Sequence, residues 1–369
     1  MKNVCMLLLF LGSLLCLTSC GGDDSTNSTD NTHSNKTQTT PTQQSDSFDK
    51  APEGTRGANK RNFHFTYTAQ ISKPTNAAKK QRIWIPIPQT TAYQDISNLK
   101  LACAQIADFK YEMKQEDVYG NKMAYLEVAD PKEDLSIVLD FDCVRYEHSR
   151  MQAPKNPEPQ PKNKRYLEPS RLLTVDAAVR EKAKTLSSGK TEIRDTLKAF
   201  YDEVINLVKY GKPPEKKGTG KGDGWGDGST QWAREQCIGN CTDFHAYYMA
   251  LCMASNIPAR FEIGAYLLDG KTEGDVGYHC WALSWDAKNG WFPVDISEGW
   301  KGPNAKNKPE LAEYYFGNHC VNRVQFTAGR DITLNPKQDA APLNYFIYSY
   351  SEADGVLLPT TAKFQFKDL

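Results

Sequence analysis

Apolar and polar residues alternate with a period of two through much of the first half of the chain. Asn62-Phe-His-Phe-Thr-Tyr-Thr-Ala-Gln-Ile71 does so, as does Arg82-Ile-Trp-Ile-Pro-Ile-Pro88, whose prolines suit an edge or a strand end. Residues 123–128 and 135–146 continue the pattern, set apart by the turn signals Tyr119-Gly-Asn121 and Asp130-Pro-Lys-Glu-Asp134. Several short alternating strands predict a small β-sandwich over residues 61–150. Residues 151–165 then carry four prolines and no apolar period, which predicts an extended linker.

The period changes to that of helices further on. Thr174 can cap a helix running to about Leu186. Thr191 can cap a second, with Ile193, Leu197, Phe200, Tyr201, Val204 and Val208 on one stripe and a stop at Gly211 and Pro213-Pro214. Residues 241–255 are apolar on all sides and predict a buried helix. Strands are expected at 261–268, 277–286 and 291–295, with Asn289-Gly290 as the tight turn between the last two. Strands, helices and then an antiparallel sheet make an α+β architecture, with the second domain spanning 166–369.

The N-terminal residues do not belong to either domain. Met1-Lys2 gives a positive start, and residues 5–17 are an apolar run too short to be read as a membrane span. The run ends in Leu17-Thr18-Ser19-Cys20, which reads as a lipoprotein export signal over 1–19 with Cys20 as the lipidated residue. From Gly21 to Ser47 there is no aliphatic residue and no Phe, Tyr or Trp. A tether over 20–60 between membrane and folded body is the expectation. The protein is therefore expected in the cell envelope, exported and held to a membrane by its N-terminal lipid.

Forty-five basic residues balance forty-five acidic ones, spread along the chain, so charge gives no case for nucleic acid. Of ten cysteines, seven lie beyond Cys20: Cys103, Cys143, Cys237, Cys241, Cys252, Cys280 and Cys320. An odd number leaves at least one thiol free if the rest pair within the chain. Cys103 and Cys143 either bridge the sandwich or stay reduced in its core. Cys237 and Cys241 lack the second pair that a zinc site needs, so no metal and no cofactor is expected. The stretch Lys217-Gly-Thr-Gly-Lys-Gly-Asp-Gly-Trp-Gly-Asp-Gly228 reads as a flap beside a cleft; its two aspartates also leave a calcium site open.

Chemistry concentrates at Gly239-Asn-Cys-Thr-Asp-Phe-His245. A turn followed by a cysteine at a helix start places the sulfur where unpaired N–H groups favour a thiolate and can also bind an oxyanion. A base is available at His279, in Gly277-Tyr-His-Cys-Trp-Ala282. Asp295 ends Trp291-Phe-Pro-Val-Asp295, where a short hairpin brings it beside His279 to fix the imidazole tautomer. Asp243 is expected to cap the helix and His245, one turn along, to be hydrogen-bonded within the fold. Cys280, on the strand face opposite His279, is expected in the core or in a disulfide. Arg260, Arg323 and Arg330 are expected in structural ion pairs.

These motifs, in this order, resemble the transglutaminase-like superfamily of papain-fold cysteine enzymes. The resemblance also takes in Asn256-Ile-Pro-Ala-Arg260, Tyr315-Phe-Gly-Asn318, Asn322-Arg-Val324 with Gly329-Arg-Asp331, and Leu343-Asn-Tyr-Phe-Ile-Tyr348. It covers residues 62–369, the strand region resembling the β-sandwich that precedes the core in many members. It implies Cys241 as nucleophile, His279 as base and Asp295 as its orienter, with the region of Trp225 or Trp232 over the cleft near the oxyanion. Attack on a peptide or carboxamide carbonyl would give a thioester, resolved by water or by an amine; hydrolysis is favoured because water is abundant outside the cell. Peptide or protein substrates are implied. The alternative is an inactive binding or assembly module on the same fold. The oligomeric state is not legible.

Overall fold

The computed structural model describes residues 51–213 and 224–369. The export segment, Cys20, the tether up to residue 50 and residues 217–223 of the glycine-rich stretch lie outside them. The strand region comprises β1 (Arg56–Ile71), β2 (Lys80–Ile87), β3 (Gln94–Cys103), β4 (Glu112–Gln115), β5 (Lys122–Ala129) and β6 (Leu135–Ser149). Next come α1 (Ala177–Ser187), α2 (Ile193–Leu207), β7 (Lys209–Tyr210), α3 (Thr230–Gln236), β8 (Ile238–Gly239) and α4 (Cys241–Ala254). The rest is β9 (Ala259–Tyr266), β10 (Glu273–Asp286), β11 (Gly290–Val294), α5 (Ile296–Lys301), α6 (Glu310–Tyr314), β12 (Asn318–His319), β13 (Arg323–Ala328), β14 (Tyr350–Ala353), β15 (Val356–Leu357) and β16 (Thr360–Asp368).

Two sheets pack face to face. One runs β12-β6-β1-β16-β10-β9-β13, with β3 on β6 and β11 on β10; the other runs β15-β14-β2-β5-β4. The alternation seen in the sequence is the cause. Phe63, Phe65, Tyr67, Ala69 and Ile71 of β1 all point inward, against Ile83, Ile85 and Ile87 of β2 and Phe364 and Phe366 of β16. Pairing crosses the boundary expected at residue 150. β16 zips antiparallel onto β1 from Phe63↔Asp368 to Ile71↔Thr360, and its far edge pairs with β10 from Glu273↔Lys367 to Val276↔Phe364. β14 likewise pairs with β2. The sheet bearing the candidate site and the sandwich sheet are therefore one sheet, joined through β16.

Local details differ from expectation in several places. Asp176, not Thr174, caps α1, its carboxylate accepting from the Val179 N–H at 2.8 Å. α2 starts after Glu192 with no side-chain cap, so Thr191 plays no such part, and Ile193 at its tip is exposed. The β10–β11 turn spans three residues closed by Asp286↔Gly290, with Gly290 at φ +67° and the Asp286 carboxylate accepting from the Lys288 and Asn289 N–H groups. Cys103 pairs opposite Ile137 and Cys143 opposite Ile96, six residues apart along β6 and so roughly 20 Å apart. They cannot bridge, and all seven described cysteines are free. The proline-rich segment is strapped down, not loose: Glu158 pairs with Arg150, and its main-chain carbonyl accepts from Trp285 Nε1 at 3.0 Å.

β9 and β13 approach closely at Gly264, where a Cβ would lie 1.8 Å from the Val324 carbonyl oxygen. Backbone cannot yield as a side-chain tip can. Gly264→Ala is expected to cost about 3 kcal/mol or more, read as a fall in the urea midpoint; an unchanged midpoint would mean that the β9–β13 contact relaxes freely.

Candidate functional site

The site is built at the start of α4. Asn240 is the N-cap, its Oδ1 accepting from the Thr242 N–H at 2.9 Å. Asp243 completes a capping box by accepting the Asn240 N–H at 2.9 Å. The same carboxylate accepts the N–H of Gly226 (2.9 Å) and of Gly228 (3.0 Å), tying the end of the glycine-rich stretch to the helix. Arg330 and Asn344 hold that segment from the other side, through the carbonyls of Asp227 and Gly228. Residues 224–228 are thus fastened in place, which narrows the flap expectation. Burial pushes the Asp243 carboxyl up to about 7, although the N–H groups of Asn240, Gly226 and Gly228 pull it down.

Cys241 is the first residue of α4 and only 2 % exposed. β10 carries His279 past it. Because Ala282 pairs with Val294, Asp295 falls just beyond the end of β11, near His279. His279 Nε2 and Asp295 Oδ2 are 2.7 Å apart, which leaves Nδ1 as the ring nitrogen for Cys241. Asp295 also caps α5, accepting from the Glu298 N–H at 3.2 Å, and pairs with Arg323 Nη2 at 3.1 Å. Cys241, His279 and Asp295 are all buried, Cys241 at the start of α4 and His279 held against Asp295.

The electrostatics follow from these partners. A hydrogen bond from the Cys280 thiol holds the Cys241 thiol well below its ordinary value, burial opposes this, and His279 adds a hydrogen bond and a charge on the favourable side. Burial disfavours the His279 imidazolium, yet the adjacent Asp295 carboxylate outweighs it and lifts the pKa to about 9. Burial works against the Asp295 carboxylate too, but His279 and Arg323 keep it well below the usual carboxylate range. These directions are the ones that a thiolate–imidazolium pair backed by a buried carboxylate requires.

Four other residues sit within this network. His245 Nδ1 donates to the Cys241 carbonyl (2.7 Å), and its Nε2 accepts the Ile296 N–H (3.1 Å), so the ring joins α4 to α5. Burial lowers its pKa to about 4 and keeps it neutral. Cys280 is buried and free, 3.7 Å from His245 Nδ1 and in no disulfide, and its thiol acts on the Cys241 pKa as above. Nothing in the sequence marked that role except adjacency to His279. Arg323 makes the expected ion pair, but its partner is Asp295 of the site itself. Asn240 Nδ2 donates to Tyr278 Oη at 2.9 Å, a contact with no sequence signal beyond the turn.

The two tryptophans are not oxyanion donors. Trp225 Nε1 donates to the Gly211 carbonyl at 2.6 Å, and Trp232 Nε1 to the Ile238 carbonyl at 2.8 Å. Each indole N–H is engaged by a backbone carbonyl, so neither is aimed at an oxyanion; the expectation that this region forms a wall of the cleft is not touched by these bonds. Among the described residues no group of His, Cys, Asp and Glu side chains is arranged to hold a metal ion, and no helix is long and apolar enough to cross a membrane. Asp227 turns its carboxylate to the Gly224 N–H.

Comparison with known proteins agrees with this architecture. Residues 180–296, which contain α4, β10 and Asp295, match the family described as the transglutaminase-like superfamily. The chain thus carries a transglutaminase-like core of papain type. An uncharacterized protein of Haemophilus influenzae is 27% identical over 335 residues, covering 79% of this chain and 86% of that protein. A Cytophaga hutchinsonii structure, provisionally described as a cysteine protease, superposes with a TM-score of 0.56 at 15% identity, over 85% of this chain and 92% of that one. The periplasmic domain of TgpA from Pseudomonas aeruginosa is more distant, at TM-score 0.34 and 14% identity, over 70% and 93%. In residues 180–296 the likeness is to a transglutaminase-like core, which at the level of class supports a cysteine enzyme.

Proposed function

We propose that the protein is an exported, lipid-anchored cysteine enzyme that cleaves peptide or carboxamide bonds through a thioester on Cys241. The observation that carries this reading is the buried run Cys241–His279–Asp295, with His279 Nε2 2.7 Å from Asp295. The Cys241 thiolate adds to the carbonyl carbon, and the C–N bond breaks as the His279 imidazolium gives its proton to the leaving amine. Water then attacks the thioester, His279 takes a proton from it, and the acid departs with the thiolate restored. An amine in place of water would make the reaction a transfer; hydrolysis is preferred because water is abundant outside the cell. Cys20 would hold the enzyme to the membrane from which it works.

The test is the rate of Cys241 alkylation by iodoacetamide against pH, located by peptide mass spectrometry, in the chain and in its His279→Ala variant. The sign follows from the shifts above: Cys241 ionises well below an ordinary thiol, while His279 stays charged up to about 9. Alkylation should therefore be fast and nearly flat from pH 6 to 9. In His279→Ala it should rise only towards the free-thiol value of about 8.5. Slow modification following that free-thiol curve in both proteins would replace the enzyme by a binding module on the same fold.

A further inference from the structure

An acyl-transfer nucleophile needs donors for the oxyanion it creates, and both tryptophan N–H groups are spent on backbone carbonyls. The Cys241 N–H, first in α4, has no protein acceptor among the described residues. Taking Cys241 as that nucleophile, we infer that Tyr278 supplies the second donor, its phenol O–H and the Cys241 N–H together binding the oxyanion of the tetrahedral intermediate.

The argument starts from the pleat of β10. Tyr278 and Cys280 are two residues apart and so share a strand face. Cys280 meets α4 from that face, 3.7 Å from His245 Nδ1. Tyr278 reaches the start of the same helix, where Asn240 Nδ2 donates to its Oη at 2.9 Å. The orientation of the Asn240 amide is fixed by the Thr242 N–H, which can only donate and is accepted by Oδ1 at 2.9 Å. The phenol oxygen is therefore an acceptor at Asn240, and its hydrogen is left to point elsewhere. No protein group takes that hydrogen among the described residues.

The ring is held where this matters. Tyr345 stacks on Tyr278 at 6.3 Å between centroids and Tyr348 meets it edge-on at 5.9 Å, so the hydroxyl has little freedom to swing away. The side chain is half-buried, and substrate can reach it. Burial and the nearby charge of Cys241 raise the phenol above its ordinary value, so it stays a donor wherever the thiolate exists. In the step itself the sulfur forms a bond to the carbonyl carbon and the C=O π pair moves to oxygen, into the two hydrogen bonds. Collapse of the intermediate restores the C=O and expels the leaving group, with Tyr278 keeping its proton throughout.

Two probes separate this role from a merely structural one. Acylation of Cys241 by p-nitrophenyl acetate passes through an oxyanion and releases p-nitrophenolate; alkylation by iodoacetamide displaces iodide and forms no oxyanion. In Tyr278→Phe of the full chain, acylation is expected to slow by about 10²-fold, the effect of losing one oxyanion donor, with the iodoacetamide rate at pH 6 unchanged. That unchanged rate also reports a folded site. Equal slowing of both reactions would overturn the inference by making Tyr278 a positioning residue for the thiolate, and no slowing of acylation would overturn it outright. Failure of the nucleophile reading shows separately, as sluggish alkylation at pH 6 in the unsubstituted protein.

Discussion

Asp295→Ala is expected to lose about 3–5 kcal/mol of stability, the cost of removing one partner from a buried ion pair, and to switch off Cys241 in the same stroke. Arg323 is wholly buried, and Asp295 is the carboxylate it reaches, while its Nε and Nη1 have no hydrogen-bond partner among the described residues. Without Asp295 that guanidinium is an uncompensated charge in the core. The His279 imidazolium loses the carboxylate that does most to lift it to about 9, and Cys241 is left as its smaller support against burial, so the ring loses its proton at lower pH. Asp295→Asn keeps the volume and one acceptor, and should separate the two effects: a smaller stability loss, with the same loss of rapid alkylation at pH 6. The sign with pH is fixed by the direction of the shift. A carboxyl held below its unfolded value of about 3.9 stabilises at every pH above that value and loses this only as pH falls through the folded value. Urea midpoints of the native chain and Asp295→Asn should therefore converge only in strong acid. A variant with native midpoint and native alkylation would remove Asp295 from the account.

The second large effect is expected at Asp243. Alanine there leaves the N–H groups of Asn240, Gly226 and Gly228 without their shared acceptor, at about 1–3 kcal/mol for each buried donor left unpaired. Water entering beside the helix should recover part of this, so a net loss of about 3 kcal/mol is the expectation. The segment 224–228 would also come away from α4. Faster proteolysis near Gly226, alongside a lower urea midpoint, is the measurement. Native resistance in Asp243→Ala would show that Arg330 and Asn344 hold the segment unaided.

Much of the site was legible because its chemistry is local in sequence. A turn, a cysteine and an apolar run state where a helix starts, and a short hairpin signalled by Asn289-Gly290 sets Asp295 near His279, although the turn itself proved one residue longer than the tight turn expected. What was not legible depends on which strand lies beside which. The alternation of Phe364 and Phe366 predicts a strand but not that β1 and β10 are its neighbours, because period two carries no partner identity. Cys280 lies in the core, as strand alternation opposite His279 implied; that α4 lies against its face is a tertiary fact. Trp225 and Trp232 were read from the resemblance, and their indole N–H groups went to carbonyls that no sequence spacing identifies. The helix caps failed for a smaller reason: Thr174 misses the α1 cap at Asp176 by two residues and Thr191 misses the α2 cap position at Glu192 by one, shifts that local sequence does not settle.

β16 imposes an order on folding. Strands β1 and β10 lie about two hundred positions apart in the chain, and each closes one edge of its pairing only against residues 360–368. Such long loops make closure slow, and no early fragment can complete the sheet that carries His279. The sheet that carries His279 is thus unfinished until residues 360–368 dock between β1 and β10, so a strand that contributes no atom to the chemistry completes the scaffold that holds the base.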